Sequence, residues 1–216
     1  MKSHSASVAF LLLTFCASVY AGQVALPLNI EGGGGSTWQG LSNTTGGDNS
    51  SLGFADAALT DSSQLDAFDG FGGIFVDGVG FQAPGGLVTR NGPFINAGPV
   101  SLSGLSVYLQ YYFDRNAANW RIFASFTNPS GAPINTVIRF GGNLGSDSDT
   151  VLRATSSGDT NFSTADRWTI STELPLEIPE DPVLTFVFFG PGAAAVPLTT
   201  IQTAHGNGSQ DLDVRY

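Results

Sequence analysis

Hydrophobic and polar residues alternate most regularly in the middle of the chain. Three runs, Leu105–Phe113, Trp120–Thr127 and Ile134–Phe140, have apolar residues at every second position, which is typical of strands with one buried face. Turn-forming residues separate the runs at 114–116 and 128–131. The pattern predicts an antiparallel meander whose buried face carries Val107, Leu109, Tyr111 and Phe113, then Trp120, Ile122, Ala124 and Phe126, then Ile134, Thr136, Ile138 and Phe140.

Short apolar runs bounded by turn residues continue along the rest of the chain, and helix-like periodicity is weak. Residues 55–68 fit either a strand and a turn or a short helix. Many short strands with closely spaced turns predict an all-β fold, namely an antiparallel β-sandwich, with jelly-roll and immunoglobulin-like arrangements as alternatives. The further predicted strands are 22–30, 71–76, 79–83, 149–156, 167–172, 183–189 and 211–215.

The first 21 residues have the three parts of a cleavable secretory signal. Lys2 gives a positive start, residues 8–15 are apolar, and Val19 and Ala21 are small residues before a cut at Gly22. The apolar run is shorter than the roughly 20 residues that a transmembrane helix needs. A lipoprotein signal at Cys16 is an alternative, but Phe15 is too large for that motif.

Composition divides the chain into three parts: the signal peptide 1–21, an N-terminal strand and Gly/Ser/Thr-rich loop 22–51, and a β-sandwich domain 52–216. Residues 31–51 read EGGGGSTWQGLSNTTGGDNSS. Such a composition predicts a flexible loop or linker.

The charge and the missing residue types exclude several functions. The chain carries 18 acidic and 8 basic residues, for a net charge of −10, so nucleic acid and anionic membranes are unfavourable partners. Beyond the signal it has no Lys, no Cys and a single His, His205. These absences exclude a Walker phosphate loop, a Schiff base, a thiolate site and a multi-histidine zinc site. A secreted domain without disulfides favours a bacterial source, and we predict no catalytic residues.

Aromatic residues on the solvent side of the predicted strands are candidates for binding sugars, since a ring face stacks on the apolar face of a pyranose. Tyr108 and Tyr112 alternate with the buried residues of their strand. In the alternative interpretation, flanking loops cover these rings. The candidate ligand-binding residues are Trp38, Tyr108, Tyr112 and Phe123.

Oxygen-bearing residues in two loops form a candidate calcium site, because calcium prefers several carboxylate and carbonyl oxygens. The EF-hand spacing is not met. The alternative is that these residues are ordinary turn formers. The candidate ligands are Asn143, Asp147, Asp149, Asp159 and Asp166.

Paired carboxylates of a glycoside hydrolase are a further possibility. The four Glu residues are Glu31, Glu173, Glu177 and Glu180. None lies in the middle of a predicted strand, where a cleft wall would present it, so the pattern gives little support to an enzyme.

Residues 126–168 resemble an uncharacterised β-sandwich module of large secreted bacterial proteins. The resemblance rests on Asn128-Pro129 at a strand end, followed by Gly-Ser-Asp at 145–147, Ser-Ser-Gly-Asp at 156–159 and Asp-Arg-Trp at 166–168. It implies an extracellular bacterial context and carries over no catalytic residue.

Together these patterns predict a secreted or cell-envelope β-sandwich that acts as a non-enzymatic binding or structural module. The expected partner is a glycan or another surface protein. The alternative is a carbohydrate-binding or carbohydrate-active protein that uses surface aromatics and carboxylates. We expect no cofactor, with calcium as the possible exception, and no transmembrane segment after removal of the signal.

Overall fold

A computed structural model describes residues 21–47, 50–174, 181–192, 198–202 and 212–216. These residues form short strands and two 3-10 turns, Pro84–Gly86 and Asp147–Asp149. Within the described part, no helix has the length and apolar character to cross a membrane. In chain order the strands are β1 Gly22–Ala25, β2 Leu28–Glu31, β3 Ser36–Gly46, β4 Ser51–Gly53, β5 Asp56–Leu59, β6 Gly73–Val76, β7 Val79–Gly80, β8 Leu87–Asn91, β9 Phe94–Leu102, β10 Leu105–Phe113, β11 Trp120–Thr127, β12 Ile138–Gly142, β13 Thr150–Thr155, β14 Trp168–Glu173, β15 Leu184–Val187, β16 Thr200–Gln202 and β17 Leu212–Arg215.

The strands form four antiparallel sheets. Sheet I has the order β1-β8-β9-β10-β11, and sheet II has the order β16-β17-β12-β6-β7. Sheet III is β13-β14-β15, and sheet IV is β2-β3-β4 with β5 also paired to β3. The fold is therefore all-β, with several antiparallel sheets packed together as a β-sandwich, which confirms the predicted fold class.

The core lies where aromatic side chains of sheets I and IV meet. Trp38 of β3 packs within 6.2 Å, between ring centroids, of Phe54, of Phe113 on β10 and of Trp120 on β11. Tyr111 stacks on Trp120 at 5.9 Å. Each of these large apolar groups contributes roughly 1.5–3 kcal/mol when it is fully removed from water. The cluster thereby fixes how sheet I sits on the rest of the molecule.

The predicted meander is right for two strands and wrong for the third. The bounds and the buried face of β10 and the bounds of β11 agree with the prediction, and the two strands pair in register. The third strand begins at Ile138 rather than Ile134 and pairs with β6 and β17 in sheet II. Asp77 explains the change, because its Oδ1 accepts the amide of Val137 at 2.9 Å and its own amide donates to the Val137 carbonyl at 2.9 Å.

The glycine-rich segment predicted as a loop or linker is largely ordered structure. Ser36–Gly46 is the longest described strand, and Trp38 and Leu41 are in the core. The preceding glycines pack against the turn after β10, where the Gly33 amide donates to the Asp114 carbonyl at 2.8 Å. A side chain at Gly33 would overlap the backbone of Arg115 and Ala117. Close backbone contact, rather than flexibility, therefore explains why a glycine occupies position 33.

The remaining strand predictions hold with bounds that differ by one to three residues, and other strands were missed. The 71–83 hairpin appears as β6 and β7, and the four later predicted strands appear as β13, β14, β15 and β17. The predicted strand 22–30 divides at Leu26-Pro27 into β1 and β2, which belong to different sheets. Residues 55–68 contain β5 and a turn, not a helix. Strands β4, β8, β9 and β16 were not predicted.

Gly33→Ala tests whether the glycine-rich segment is packed. Because the added methyl group meets backbone atoms, we expect a loss of about 1–3 kcal/mol in the free energy of unfolding. The control is Gly131→Ala, since a methyl group there meets open space. Urea denaturation of both variants gives the comparison, and equal stability of the two would contradict the packing described here.

Candidate functional site

The outer face of sheet I carries aromatic, amide and arginine side chains from three adjacent strands. Because side chains alternate along a strand, the residues between the buried positions of β9, β10 and β11 point away from the core. The strand registers place them side by side. We call this group the platform; it consists of Phe94, Asn96, Tyr108, Gln110, Tyr112, Arg121 and Phe123.

Rings and a guanidinium group occupy one end of the platform. Tyr112 pairs with Phe94 on β9 and with Arg121 on β11. The Tyr112 ring lies 5.1 Å from the Phe94 ring between centroids, and Arg121 Cζ lies 4.6 Å from the Tyr112 centroid. These ring and cation–π contacts orient Tyr112. Phe123 stands beside them with 62% of its surface exposed.

A hydrogen-bonded polar group occupies the middle of the platform. Asn96 Oδ1 accepts the Tyr108 hydroxyl at 2.6 Å and Gln110 Nε2 at 2.8 Å. Asn96, Tyr108 and Gln110 are half-buried, so each keeps a hydrogen-bonding atom for solvent or a ligand. The network fixes the hydroxyl and amide groups relative to the rings.

The platform brings together three of the four predicted ligand-binding residues and excludes the fourth. Tyr108, Tyr112 and Phe123 lie on one accessible face. Trp38 is only 7% exposed and is packed among Phe54, Phe113 and other core rings. The prediction that Trp38 binds a ligand is therefore wrong, because a buried ring cannot stack on a sugar.

Asp166 stabilises the loop between β13 and β14. It is fully buried, and its Oδ2 accepts the Ser163 amide and hydroxyl, both at 2.9 Å. Its Oδ1 accepts the Ser157 amide at 2.9 Å and the Ser156 hydroxyl at 3.0 Å. Burial alone would raise the pKa of this carboxyl, but these hydrogen bonds outweigh it and lower the pKa to about 2.

Asp159 stabilises the same loop from its exposed side. It accepts the Asn161 amide and the Thr155 hydroxyl, both at 2.9 Å, and these bonds lower its pKa. The Ser-Ser-Gly-Asp and Asp-Arg-Trp segments behind the sequence resemblance thus contain residues with a structural role in this chain. Asp159 and Asp166 act as turn formers here.

The five predicted calcium ligands do not form one site. Asn143, Asp147 and Asp149 precede or begin β13, whereas Asp159 and Asp166 follow its end. Six residues of extended strand separate the two groups by roughly 20 Å. Among the residues with described positions, no group of three or more His, Cys, Asp or Glu side chains could hold a metal ion.

A group of carboxylates next to the 143–149 loop was not predicted. Partial desolvation, together with the negative charges of four neighbours, raises the pKa of Asp66 to about 6. Desolvation also raises the pKa of Asp56 and, with the charge and hydrogen bond of Asp147, that of Asp69. The four neighbours of Asp66 are Asp56, Asp69, Asp147 and Glu173. These aspartates are close in space because residues 66–70 form hydrogen bonds with β5 on one side and with the 143–149 loop on the other, which the sequence does not reveal.

The remaining candidate residues lie far apart along the chain or outside the described residues. Glu31 is exposed at the end of β2, and its Oε2 accepts the Thr37 hydroxyl at 3.2 Å. Glu173 ends β14, and its Oε2 accepts the Asp181 amide at 3.1 Å. His205, Glu177 and Glu180 lie outside the described residues.

Four of the seven platform residues were not predicted, namely Phe94, Asn96, Gln110 and Arg121. Phe94 and Asn96 were missed because Gly98-Pro99 obscures the alternation of β9. Arg121 stands between Trp120 and Ile122, which were predicted to be buried, so the alternation predicts that its side chain points to solvent. Its contact with Tyr112 depends on strand register, which is visible only in the folded chain.

Comparisons with known proteins add no family. No protein-family model matches the chain, and no curated protein or solved structure is significantly similar to it. The resemblance of residues 126–168 to a secreted bacterial module stays a prediction.

Asp166→Asn tests the role of the buried carboxylate. The variant loses charge-assisted hydrogen bonds and turns an amide group toward N–H donors, so we expect a loss of about 2 kcal/mol in the free energy of unfolding at pH 7. Because the folded pKa is lowered, this contribution is present above pH 4 and disappears as the pH falls through about 2. Asp159→Asn, in the same loop but exposed, is the control and should lose less. If the difference in free energy of unfolding between Asp166→Asn and wild type stayed constant down to pH 2, the ionised carboxylate would not be the source of the stabilisation.

Asp66→Asn tests whether the ionised Asp66 carboxylate destabilises the folded state. Since the folded pKa of Asp66 is raised to about 6, its ionisation destabilises the folded state above pH 6 and has no effect below about pH 4. Solvent screens this surface side chain, so we expect a gain of about 1 kcal/mol at pH 8, or about 3 °C in Tm. The gain should vanish near pH 4. Asp61→Asn, an exposed carboxylate outside the group, is the control, and an equal gain in both variants would refute the account.

Proposed function

We propose that this chain is a secreted, non-enzymatic β-sandwich module that binds a glycan on the platform. The observation that carries the proposal is the accessible row of oriented rings, Tyr112, Phe94 and Phe123, beside the Asn96 hydrogen-bond network. Ring faces cover the apolar C–H side of a sugar, while fixed amide and hydroxyl groups bind its hydroxyls. The signal-like residues 1–21 support export of the module.

The shape of the site favours a chain of sugars over a single small molecule. The platform extends over three strands, and adjacent strands are about 4.8 Å apart. It therefore offers a nearly flat surface rather than a deep pocket. A polysaccharide or oligosaccharide lying across the strands contacts both the rings and the amides.

Tyr112→Ala and Phe123→Ala test the platform directly. Each removes a ring on the outer face of sheet I, Tyr112 half-buried and Phe123 exposed, so we expect each to weaken glycan binding about 10-fold, which corresponds to about 1.4 kcal/mol. A glycan array identifies the ligand, and isothermal titration calorimetry gives the affinities. Val187→Ala, another exposed apolar residue on sheet III, is the control. An array with no binding would remove the glycan proposal and leave a surface protein as the partner class to test.

A carbohydrate-active enzyme is the second candidate, and the carboxylate group around Asp66 favours it. A carboxyl with a pKa of about 6 beside other carboxylates resembles the acid of a hydrolytic pair. Release of reducing ends from a polysaccharide panel, abolished in Asp66→Asn, would establish this activity and reject the non-enzymatic proposal. Under the non-enzymatic proposal we expect no release.

A further inference from the structure

A small cleft opens at the end of sheet I, on the face opposite the platform, since Ile95 and Phe113 in its lining point toward the core. It has about 30 Å³ of open space and lies between β2, the end of β8 and the turn after β10. This space suits a carboxylate-sized group better than a whole sugar ring. The residues that matter for the cleft are Glu31, Arg90, Gly92, Pro93, Phe113 and Arg115.

Arg90 and Arg115 line this cleft as two cations without a partner among the described residues. Both side chains are exposed, and within the described part of the chain neither guanidinium has a hydrogen bond or a carboxylate within 4 Å. By contrast, Arg139 and Arg215 both face Asp213. The cleft therefore has two arginines against one carboxylate, Glu31, and its lining carries a net positive charge.

The backbone holds both arginines in position. Arg90 pairs with Gly22 and Ile95 inside sheet I. Arg115 sits in the turn fixed by the hydrogen bond from the Gly33 amide to the Asp114 carbonyl. Gly92 lies beside Arg115, because a Cβ atom built on Gly92 would lie 3.4 Å from Arg115 Nη2. The sheet and the turn therefore fix the backbone from which both arginine side chains reach the cleft.

The cleft and the platform share the same strand ends. On β9, Pro93 lines the cleft and the next residue, Phe94, belongs to the platform. On β10, Phe113 lines the cleft and the preceding residue, Tyr112, belongs to the platform. The Phe113 amide donates to the Pro93 carbonyl at 3.0 Å and joins the two strands at this point. Because consecutive residues of a strand point to opposite faces, a sugar chain on the platform reaches the cleft by bending around the ends of β9 and β10.

We propose that the Arg90–Arg115 cleft binds the carboxylate of an acidic sugar, so that the platform selects a uronate-containing glycan. This inference rests on the proposed glycan-binding function. An arginine fork matches a planar carboxylate with two parallel hydrogen bonds. Arg121 adds a third cation at the same end of a protein whose net charge is −10. The arginines therefore attract an anion to this end of sheet I despite the overall negative charge.

Glu31 opposes the anion, because it is the carboxylate among the residues that line the cleft. Its Oε2 accepts the Thr37 hydroxyl at 3.2 Å. Glu31→Gln removes this repulsion, so the variant should bind the acidic glycan more tightly than wild type.

The test uses one sugar chain in two charge states. Isothermal titration calorimetry of the full-length protein with oligogalacturonate and with its methyl ester separates the carboxylate from the rest of the ligand. We expect at least 10-fold tighter binding of the acid, and Arg115→Gln or Arg90→Gln should remove most of that preference. Arg153→Gln changes the net charge equally but lies exposed on β13, and it should keep the preference. Tyr112→Ala should weaken binding of both probes.

The outcomes separate this inference from the proposed function. Equal affinity for the acid and the ester, or equal effects of Arg115→Gln and Arg153→Gln, would overturn the carboxylate site while leaving the platform intact. Binding of the acid that depends on Arg115 but not on Tyr112 would support the cleft and contradict the platform. Binding of neither probe would overturn the uronate assignment, and the glycan array would then decide the proposed function.

Discussion

The aromatic packing between β3 and sheet I is the interaction on which the rest of the structure depends. Trp38 contacts rings from β10 and β11 as well as Phe54. Without Cys beyond the predicted signal, the chain has no disulfide to hold the sheets together. Burial of large apolar rings has to supply that stability.

The core also determines what sheet I presents to solvent. Tyr111 and Phe113 are fixed in the interior, so Tyr112 between them must point outward. The registers of β9 and β11 then bring Phe94 and Arg121 to Tyr112. The same strand ends place Arg90 and Arg115 around the cleft. The candidate binding surface is therefore a geometric consequence of the residues that form the core.

Local alternation made part of this structure predictable. It predicted the bounds and faces of β10 correctly, together with the outward positions of Tyr108, Tyr112 and Phe123. It failed where contacts between distant residues decide the outcome. Asp77 holds Val137, the residue before β12, against sheet II. Gly33 packs on the turn at Arg115, although the glycine-rich composition predicts a flexible loop. Trp38 illustrates the same limit, because burial by partners far along the chain distinguishes a core ring from a binding ring.

The most direct test of the central claim, that the platform of sheet I binds a glycan, is an NMR titration of the isotope-labelled protein with oligogalacturonate. The account predicts that amide shifts concentrate in β9, β10 and β11 and in the turns at Gly92 and Arg115. It also predicts little change in sheet III or around Asp166. Shifts concentrated around Asp66 and the 143–149 loop, with the amides near Tyr112 unchanged, would contradict it.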